Sequence, residues 1–268
     1  MVSKNTILTE KRLTDIEDII AASGKIVTAV DIHKTLGKKC SRFVLKKRIY
    51  ELKAKGWLIP LRRGLYFISD ISSRGFVNIS PIIIANAFDK ESYVSLDSAL
   101  SFYGLFEQML RTVSSVTQRK SRKYVFQENT YRYLKINKKL YFGFKTENIE
   151  GYYTKVADLE KVVLDYLYFK NDTYSIDLLL EKLQKAKDRI DFKKLFAYAR
   201  KFPETTKRKL GFILDTLKID TEALRKIVET KGYSKLTPRS KKFNAKWRLY
   251  VEPRFKYSVT GEEGFVTG

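Results

Sequence analysis

An α+β chain in two parts is what this sequence predicts: a small module of three helices and a β-hairpin over residues 1–75, then a larger mixed module over 76–268 with an antiparallel sheet and a helical C-terminal part. Three observations predict it. In the first seventy residues, apolar residues at helical spacing alternate with short β-prone runs. Across Asp70 to Asn78 the periodicity lapses, with Ser72, Ser73 and Gly75 marking a linker. Beyond it come alternating strand patterns and then one helical pattern after another.

The first helix is read from Leu13, Ile16, Ile19 and Ile20, which recur one turn apart and stop at Ser23-Gly24. Lys25-Ile26-Val27 is β-prone. Thr28-Ala29-Val30-Asp31 is a capping box, in which Thr28 accepts from the backbone three residues on and Asp31 reaches back, so a second helix starts there and ends near Gly37. Gly37 to Cys40 is a tight basic turn, and Ser41 N-caps a third helix whose apolar stripe is Leu45, Ile49 and Leu52. Trp57 to Leu61 and Leu65 to Ile68 form a hairpin joined by a three-residue loop, Arg62-Arg63-Gly64, with glycine where a positive φ is needed.

In the larger module, Ser80-Pro81 opens a helix, Tyr93 to Ser95 is a short strand and Leu96 to Tyr103 a helix. Residues 113–117, 124–126, 131–136 and 140–144 alternate like strands of an antiparallel sheet. Asp158 to Tyr168 is helical, residues 176–228 are helices punctuated by Pro203 and Gly211, and Trp247 to Val251 is a last strand. Lys231 to Lys256 carries nine basic residues against Glu252 alone, a tail suited to phosphate or to water.

Charge selects the partner. Lys and Arg number 53 against 30 Asp and Glu, a net charge of +23, while 44% hydrophobic residues suffice for folded cores. Met1 to Glu10 lacks the apolar core of a signal peptide and no apolar run approaches the ~20 residues of a membrane span, so a cytoplasmic nucleic-acid binder is expected rather than a membrane protein. One cysteine, Cys40, and one histidine, His33, leave no zinc cluster, and no glycine-rich phosphate loop is present, so no metal and no cofactor are expected.

From Ile32 to Gly64 eleven basic residues face one acid, Glu51. With Leu45, Ile49 and Leu52 inward, Arg42, Phe43, Lys46, Lys47 and Tyr50 are left on the outer side of the third helix, the layout of a major-groove reader with the hairpin as a wing. The predicted module is therefore a winged helix-turn-helix for double-stranded DNA. Ser41, Arg42, Lys46 and Lys47 are candidates for base edges and flanking phosphates, Thr28, Lys38 and Lys39 for phosphates, and Arg62 and Arg63 for phosphate or the minor groove. Tyr50 and Phe43 suit a thymine methyl, a sugar, or packing against a neighbouring element.

Thr28 to Ile32, Leu52 to Ile59 (Leu-Lys-Ala-Lys-Gly-Trp-Leu-Ile) and Leu61 to Tyr66 (Leu-Arg-Arg-Gly-Leu-Tyr) together resemble the winged-helix domain of AbiEi-type antitoxins of abortive-infection systems. Tyr93 to Leu100 with Tyr103-Gly104-Leu105, and Val156 to Asp165, are similar to later segments of that family, so the likeness runs along most of the chain. The resemblance implies an antitoxin that binds operator repeats through its winged helix, represses its own operon and counteracts a nucleotidyltransferase-type toxin, in phage defence.

Enzymatic readings are weaker. Glu51-Leu52-Lys53 and Glu229-Thr230-Lys231 match half of a nuclease site, yet a chain rich in Glu and Lys yields such triplets by chance. Asp15-Ile16-Glu17-Asp18 lacks the Gly-Ser turn a nucleotidyltransferase needs, and Asp158, Glu160 and Asp165 read as first-turn helix charges, with Asp165 an ion-pair partner. A nuclease whose winged helix delivers a catalytic C-terminal domain is the alternative to the regulator, with an RNA binder behind it. Cys40, among lysines, suits a redox-sensing thiol or no role, and His33 a plain surface position.

Overall fold

Six elements in the order helix, strand, helix, helix, strand, strand build the N-terminal part of the chain. The computed structural model describes residues 7–253 apart from Lys39, Arg74 and Glu107, and the chain divides into two units, Met1–Phe88 and Asp89–Gly268. In the first, α1 (Glu10–Ser23) leads into β1 (Ile26–Thr28), α2 (Ala29–Leu36) and α3 (Arg42–Ala54). The capping box is present at α2: the Asp31 amide donates to the Thr28 hydroxyl at 3.1 Å and the Thr28 amide to the Asp31 carboxylate at 2.8 Å. Ile16, Ile19, Val27, Ile32, Leu36, Leu45, Leu52, Trp57 and Ile68 form one buried cluster, joined from its margin by Ile49 and Cys40.

β2 (Leu58–Arg62) and β3 (Leu65–Ile68) make the hairpin, and β1 pairs with β3, giving an antiparallel sheet in the order β1-β3-β2. The connection is shorter than the three residues expected. Arg62 pairs with Leu65, leaving Arg63 and Gly64 as the turn, with Gly64 at φ 74°. The register slips between Pro60 and Arg62. This extra residue changes the phase of the strand, so that Leu58 and Leu61 are both buried while Pro60 and Arg62 stay exposed.

The segment expected as a linker is hydrogen-bonded to the first unit. Lys25 pairs with Asp70 at 2.6 Å, the Ser69 hydroxyl donates to the Gly56 carbonyl at 2.8 Å, and the Gly75 amide donates to that same carbonyl at 3.0 Å. The unit then ends with α4 (Pro81–Phe88).

The second unit is built on a six-stranded sheet. Its strands are β4 (Ser92–Val94), β5 (Thr112–Thr117), β6 (Arg122–Phe126), β7 (Asn129–Lys135), β8 (Phe144–Ile149) and β9 (Tyr152–Ala157), in the order β6-β7-β5-β4-β9-β8, with α5 (Leu96–Phe102) between β4 and β5. The sheet is mixed, not antiparallel as expected: β5 runs parallel to β7 and β4 parallel to β9. The chain passes out to the edge strand β6 and returns, which lays β7 beside β5 in the same direction, and residue alternation carries no mark of direction. Residues 140–143 are not a strand either, and Phe144 instead opens β8. A 3₁₀ turn, Lys138–Leu140, precedes β8, and β9 was not anticipated.

Helices α6 (Leu159–Phe169), α7 (Thr173–Ala186), α8 (Phe192–Ala199), α9 (Glu204–Thr216) and α10 (Glu222–Arg225) follow. A small sheet then forms, ordered β10 (Ser234–Lys235), β12 (Leu249–Val251), β11 (Lys242–Asn244). Gly211 does not punctuate the helices. It lies inside α9, where a Cβ would fall 2.3 Å from the ring of buried Trp247, whose indole N–H donates to Asp215 at 2.6 Å.

Charge is also buried here. Asp165 is wholly enclosed, paired with Lys161 one turn earlier, and accepts from the Tyr93 hydroxyl at 3.0 Å and the Ser95 hydroxyl at 2.9 Å. The Lys161 ammonium lies 5.3, 5.5 and 5.0 Å from the ring centres of Tyr93, Phe142 and Phe202. Burial pushes the Asp165 carboxyl up and the Lys161 ammonium down from their ordinary values.

Lys209, 4% exposed on α9, has among the described residues only carbonyl contacts, at 3.4 and 3.5 Å, and burial brings its pKa down to about 8. From about pH 8 to its ordinary value of 10.5 the unfolded chain therefore holds a proton that the folded chain has lost. Stability of the second unit rises with pH across that window. Lys209→Met should remove this rise and stabilise the unit at pH 7 by about 3 kcal/mol, as read by urea unfolding at pH 7 and 9.5. An unaltered pH dependence in the variant would refute the assignment.

Candidate nucleic-acid interface

Helix α3 carries two faces set by its spacing. Ser41 caps it, accepting from the Val44 amide at 3.5 Å, which leaves the hydroxyl proton to donate. Leu45, Ile49 and Leu52 face the core as expected. Between them lies Arg48, 6% exposed, whose guanidinium donates to both carboxylate oxygens of Asp15 on α1 at 3.0 and 3.1 Å. Arg12 bridges the two helices, reaching Asp15 at 3.2 Å and Glu51 at 2.9 Å, and Lys55 lies 3.4 Å from Glu51. The hydrogen bond from Arg12 holds the Glu51 carboxyl below its ordinary range.

The eleven basic residues counted between Ile32 and Gly64 are therefore not all available to a ligand. Arg48 is buried in its ion pair, Lys55 is engaged by Glu51 and by the Ile7 carbonyl at 3.0 Å, and Lys39 lies outside the described residues. The other eight, Lys34, Lys38, Arg42, Lys46, Lys47, Lys53, Arg62 and Arg63, are exposed. Among the described residues none of Arg42, Lys46, Lys47 and Arg63 takes part in an ion pair. The span's single carboxylate is occupied by Arg12 and Lys55, so the outer side of α3 is purely cationic.

Phe43, Lys46, Lys47 and Tyr50 form one outward stripe at helical spacing, with Phe43 78% and Tyr50 73% exposed, so neither ring packs against a neighbouring element. Val30, at the start of α2, is 73% exposed and was not anticipated as a surface residue of the site.

The hairpin tip is anchored beside the start of α2. Thr28 pairs with Leu65 and the Ala29 amide donates to the Gly64 carbonyl at 2.9 Å, which brings Thr28, Arg62 and Arg63 together. The Thr28 hydroxyl spends its one proton on Asp31 at 2.6 Å, so a phosphate would compete with that carboxylate. Ser41, Arg42, Lys46, Lys47 and Tyr50 are brought together by α3, with Lys38 in the turn before it.

The residues weighed for chemistry are placed otherwise. Glu51 of the Glu-x-Lys triplet is held by Arg12, and Asp158 and Glu160 share Lys194 at 2.5 and 2.8 Å. Cys40 is half-buried with its thiol 3.5 Å from the Leu36 carbonyl, and His33 is exposed. Among the described residues no group of three His, Cys, Asp or Glu side chains is arranged to hold a metal, and no helix is long and apolar enough to cross a membrane.

No family model matches the chain, and no curated protein matches it. Among solved structures, the crystal structure of the RV2827C protein from Mycobacterium tuberculosis is similar, with a TM-score of 0.64 and 14% identity over 91% of this chain and 92% of that one. At that identity the likeness is one of fold.

The Asp15–Arg48 pair sets how α3 is turned. Asp15→Ala strands a buried guanidinium and should cost about 3 kcal/mol of first-unit stability. The double variant Asp15→Leu, Arg48→Met should recover most of that loss in urea unfolding. Equal losses for the single and double variants would show that the ion pair is not what α3 depends on.

Proposed function

We propose that the first unit is a winged helix-turn-helix that binds double-stranded DNA, with α3 as recognition helix and β2–β3 as wing, in a cytoplasmic regulator that is not an enzyme. The observation that carries this reading is the outer side of α3, where unpaired cations and bare aromatic rings share one stripe while the nearby acid is tied up. A solvated helix face needs no such arrangement. Arg42 is suited to a bidentate base contact, Lys46 and Lys47 to phosphates, and Arg62 and Arg63 to phosphate or the minor groove. Following the resemblance in its sequence, the chain acts as the antitoxin of a two-gene module, repressing its operon through operator repeats and counteracting a nucleotidyltransferase-like toxin.

The test is duplex binding to the DNA upstream of the gene, followed by anisotropy, with magnesium added in parallel to look for cuts. Arg42→Ala should cost about 1–3 kcal/mol and relax sequence preference. Arg62→Ala with Arg63→Ala should weaken all duplexes alike and lower the salt slope by about 2. Affinity indifferent to both changes, or magnesium-dependent cleavage, would overturn the reading.

Phe43 makes it sharper. A bare ring between Arg42 and Lys46 is matched in a major groove by the C5-methyl of thymine. Replacing thymine by deoxyuracil throughout the site should weaken the parent protein about fivefold and leave Phe43→Ala unaffected; equal losses in both would place the ring away from the bases.

A further inference from the structure

The first unit is not the only place where cations gather. In the second unit, the end of β5 and the end of β7 lie side by side: Thr117 pairs with Lys135, the Ile136 amide donates to the Thr117 carbonyl at 2.9 Å, and the Lys135 amide donates to the Ser121 hydroxyl at 2.9 Å. Those bonds collect Arg119, Lys120, Arg122, Lys123, Arg132, Lys135, Lys138 and Lys139 at one corner of the sheet, from segments separate in sequence. The acids there are Asp89 and Glu91. Asp89 is buried and taken up by Arg122 at 2.6 Å and Arg119 at 3.6 Å. Glu128 sits at the opposite, turn end of the β6–β7 hairpin.

Two features set this corner apart from an ordinary solvated surface. Lys123 stands directly opposite Arg132 in the antiparallel β6–β7 pair, both exposed, an arrangement that destabilises a sheet. Among the described residues none of Lys120, Lys123, Arg132, Lys135, Lys138 and Lys139 takes part in an ion pair. Glu91 is the one exposed acid named at this corner, so the fold holds like charges together with too little of its own to neutralise them.

We propose that this corner is a second nucleic-acid site, which grips the phosphodiester backbone of duplex DNA without reading bases. A polyanion is what relieves the Lys123–Arg132 repulsion. Duplex is favoured over single strand because no exposed residue of the corner is aromatic, and unpaired bases need rings to stack on. The site belongs to the second unit alone, so it stands or falls separately from the α3 reading.

The experiment uses the full chain and a labelled 30-base-pair duplex of random sequence (about three helical turns), with anisotropy read across a salt series. Arg42→Ala, Lys46→Ala, Lys47→Ala, which disables the α3 face, is expected to keep measurable binding. Adding Lys123→Thr, Arg132→Thr, Lys138→Ser and Lys139→Ser should lower the log–log salt slope by about 3–4 and the affinity at least tenfold. Lys123→Thr with Arg132→Thr alone should raise the melting temperature by about 1–3 °C, the sign of a site kept at the expense of stability. An unchanged salt slope would overturn the proposal. So would tighter binding to an oligo-dT single strand than to duplex, or self-association of the neutralised variant with no loss of affinity, which would make the charges guards of an edge strand.

Discussion

A guanidinium removed from water needs its partner in one geometry, and Arg48 against Asp15 supplies the constraint on which the first unit rests. Leu45, Ile49 and Leu52 hold α3 by close packing, which has no preferred direction of its own. Hydrogen bonds from Arg48 to both oxygens of a carboxylate on α1 add that direction. With successive residues set about 100° apart, fixing position 48 inward fixes 43, 46, 47 and 50 outward. Arg12 extends the lock to Glu51 and so removes the only acid of the Ile32–Gly64 span from the outer field. The same contact that orders the core thereby purifies the charge of the surface.

The second unit uses buried charge in the same way. Asp165 joins α6 to β4 through Tyr93 and Ser95, and Lys161 fills the aromatic enclosure that would otherwise be a void beside it. Asp89, just before β4, accepts from the Thr117 hydroxyl at 2.8 Å and pairs with Arg122, pinning the corner where β5, β6 and β7 meet. Lys209 departs from the pattern. Burial weakens its hold on the proton, and among the described residues it meets carbonyls but no carboxylate that would offset that burial.

Local signals were legible in the sequence and direction was not. The capping box at Thr28, the cap at Ser41, the stripe on α3 and the turn at Gly64 depend on near neighbours, and each is where the residues place it. Parallel pairing of β5 with β7 depends on where the chain goes after β6, which alternation cannot encode. Strands β8 and β9 escaped because Lys145, Glu147 and Lys155 interrupt their apolar pattern. Arg48 was misplaced by its type rather than its position: 45, 48, 49 and 52 share one helical face, and that spacing already put an arginine inward, facing Asp15 beside the inward Ile16 and Ile19 of α1. Gly211 likewise resembled a break because the ring that requires it arrives from residue 247.

A net charge of +23 would be tolerable if spread evenly, because screening weakens repulsion beyond about 8 Å at physiological salt. It is not spread evenly. Asp15, Asp165 and Asp89 are buried against Arg48, Lys161 and Arg122, and Glu51 is held by Arg12, while exposed cations accumulate on α3 and at the β5–β7 corner. Placing acids inside and like charges outside lowers stability twice, through desolvation and through self-repulsion. A polyanion that neutralised the surface would relieve the second of these costs and leave the internal pairs, with their desolvation, as they are. On the reading proposed above, that relief is what the crowded cations of α3 and of the β5–β7 corner provide for.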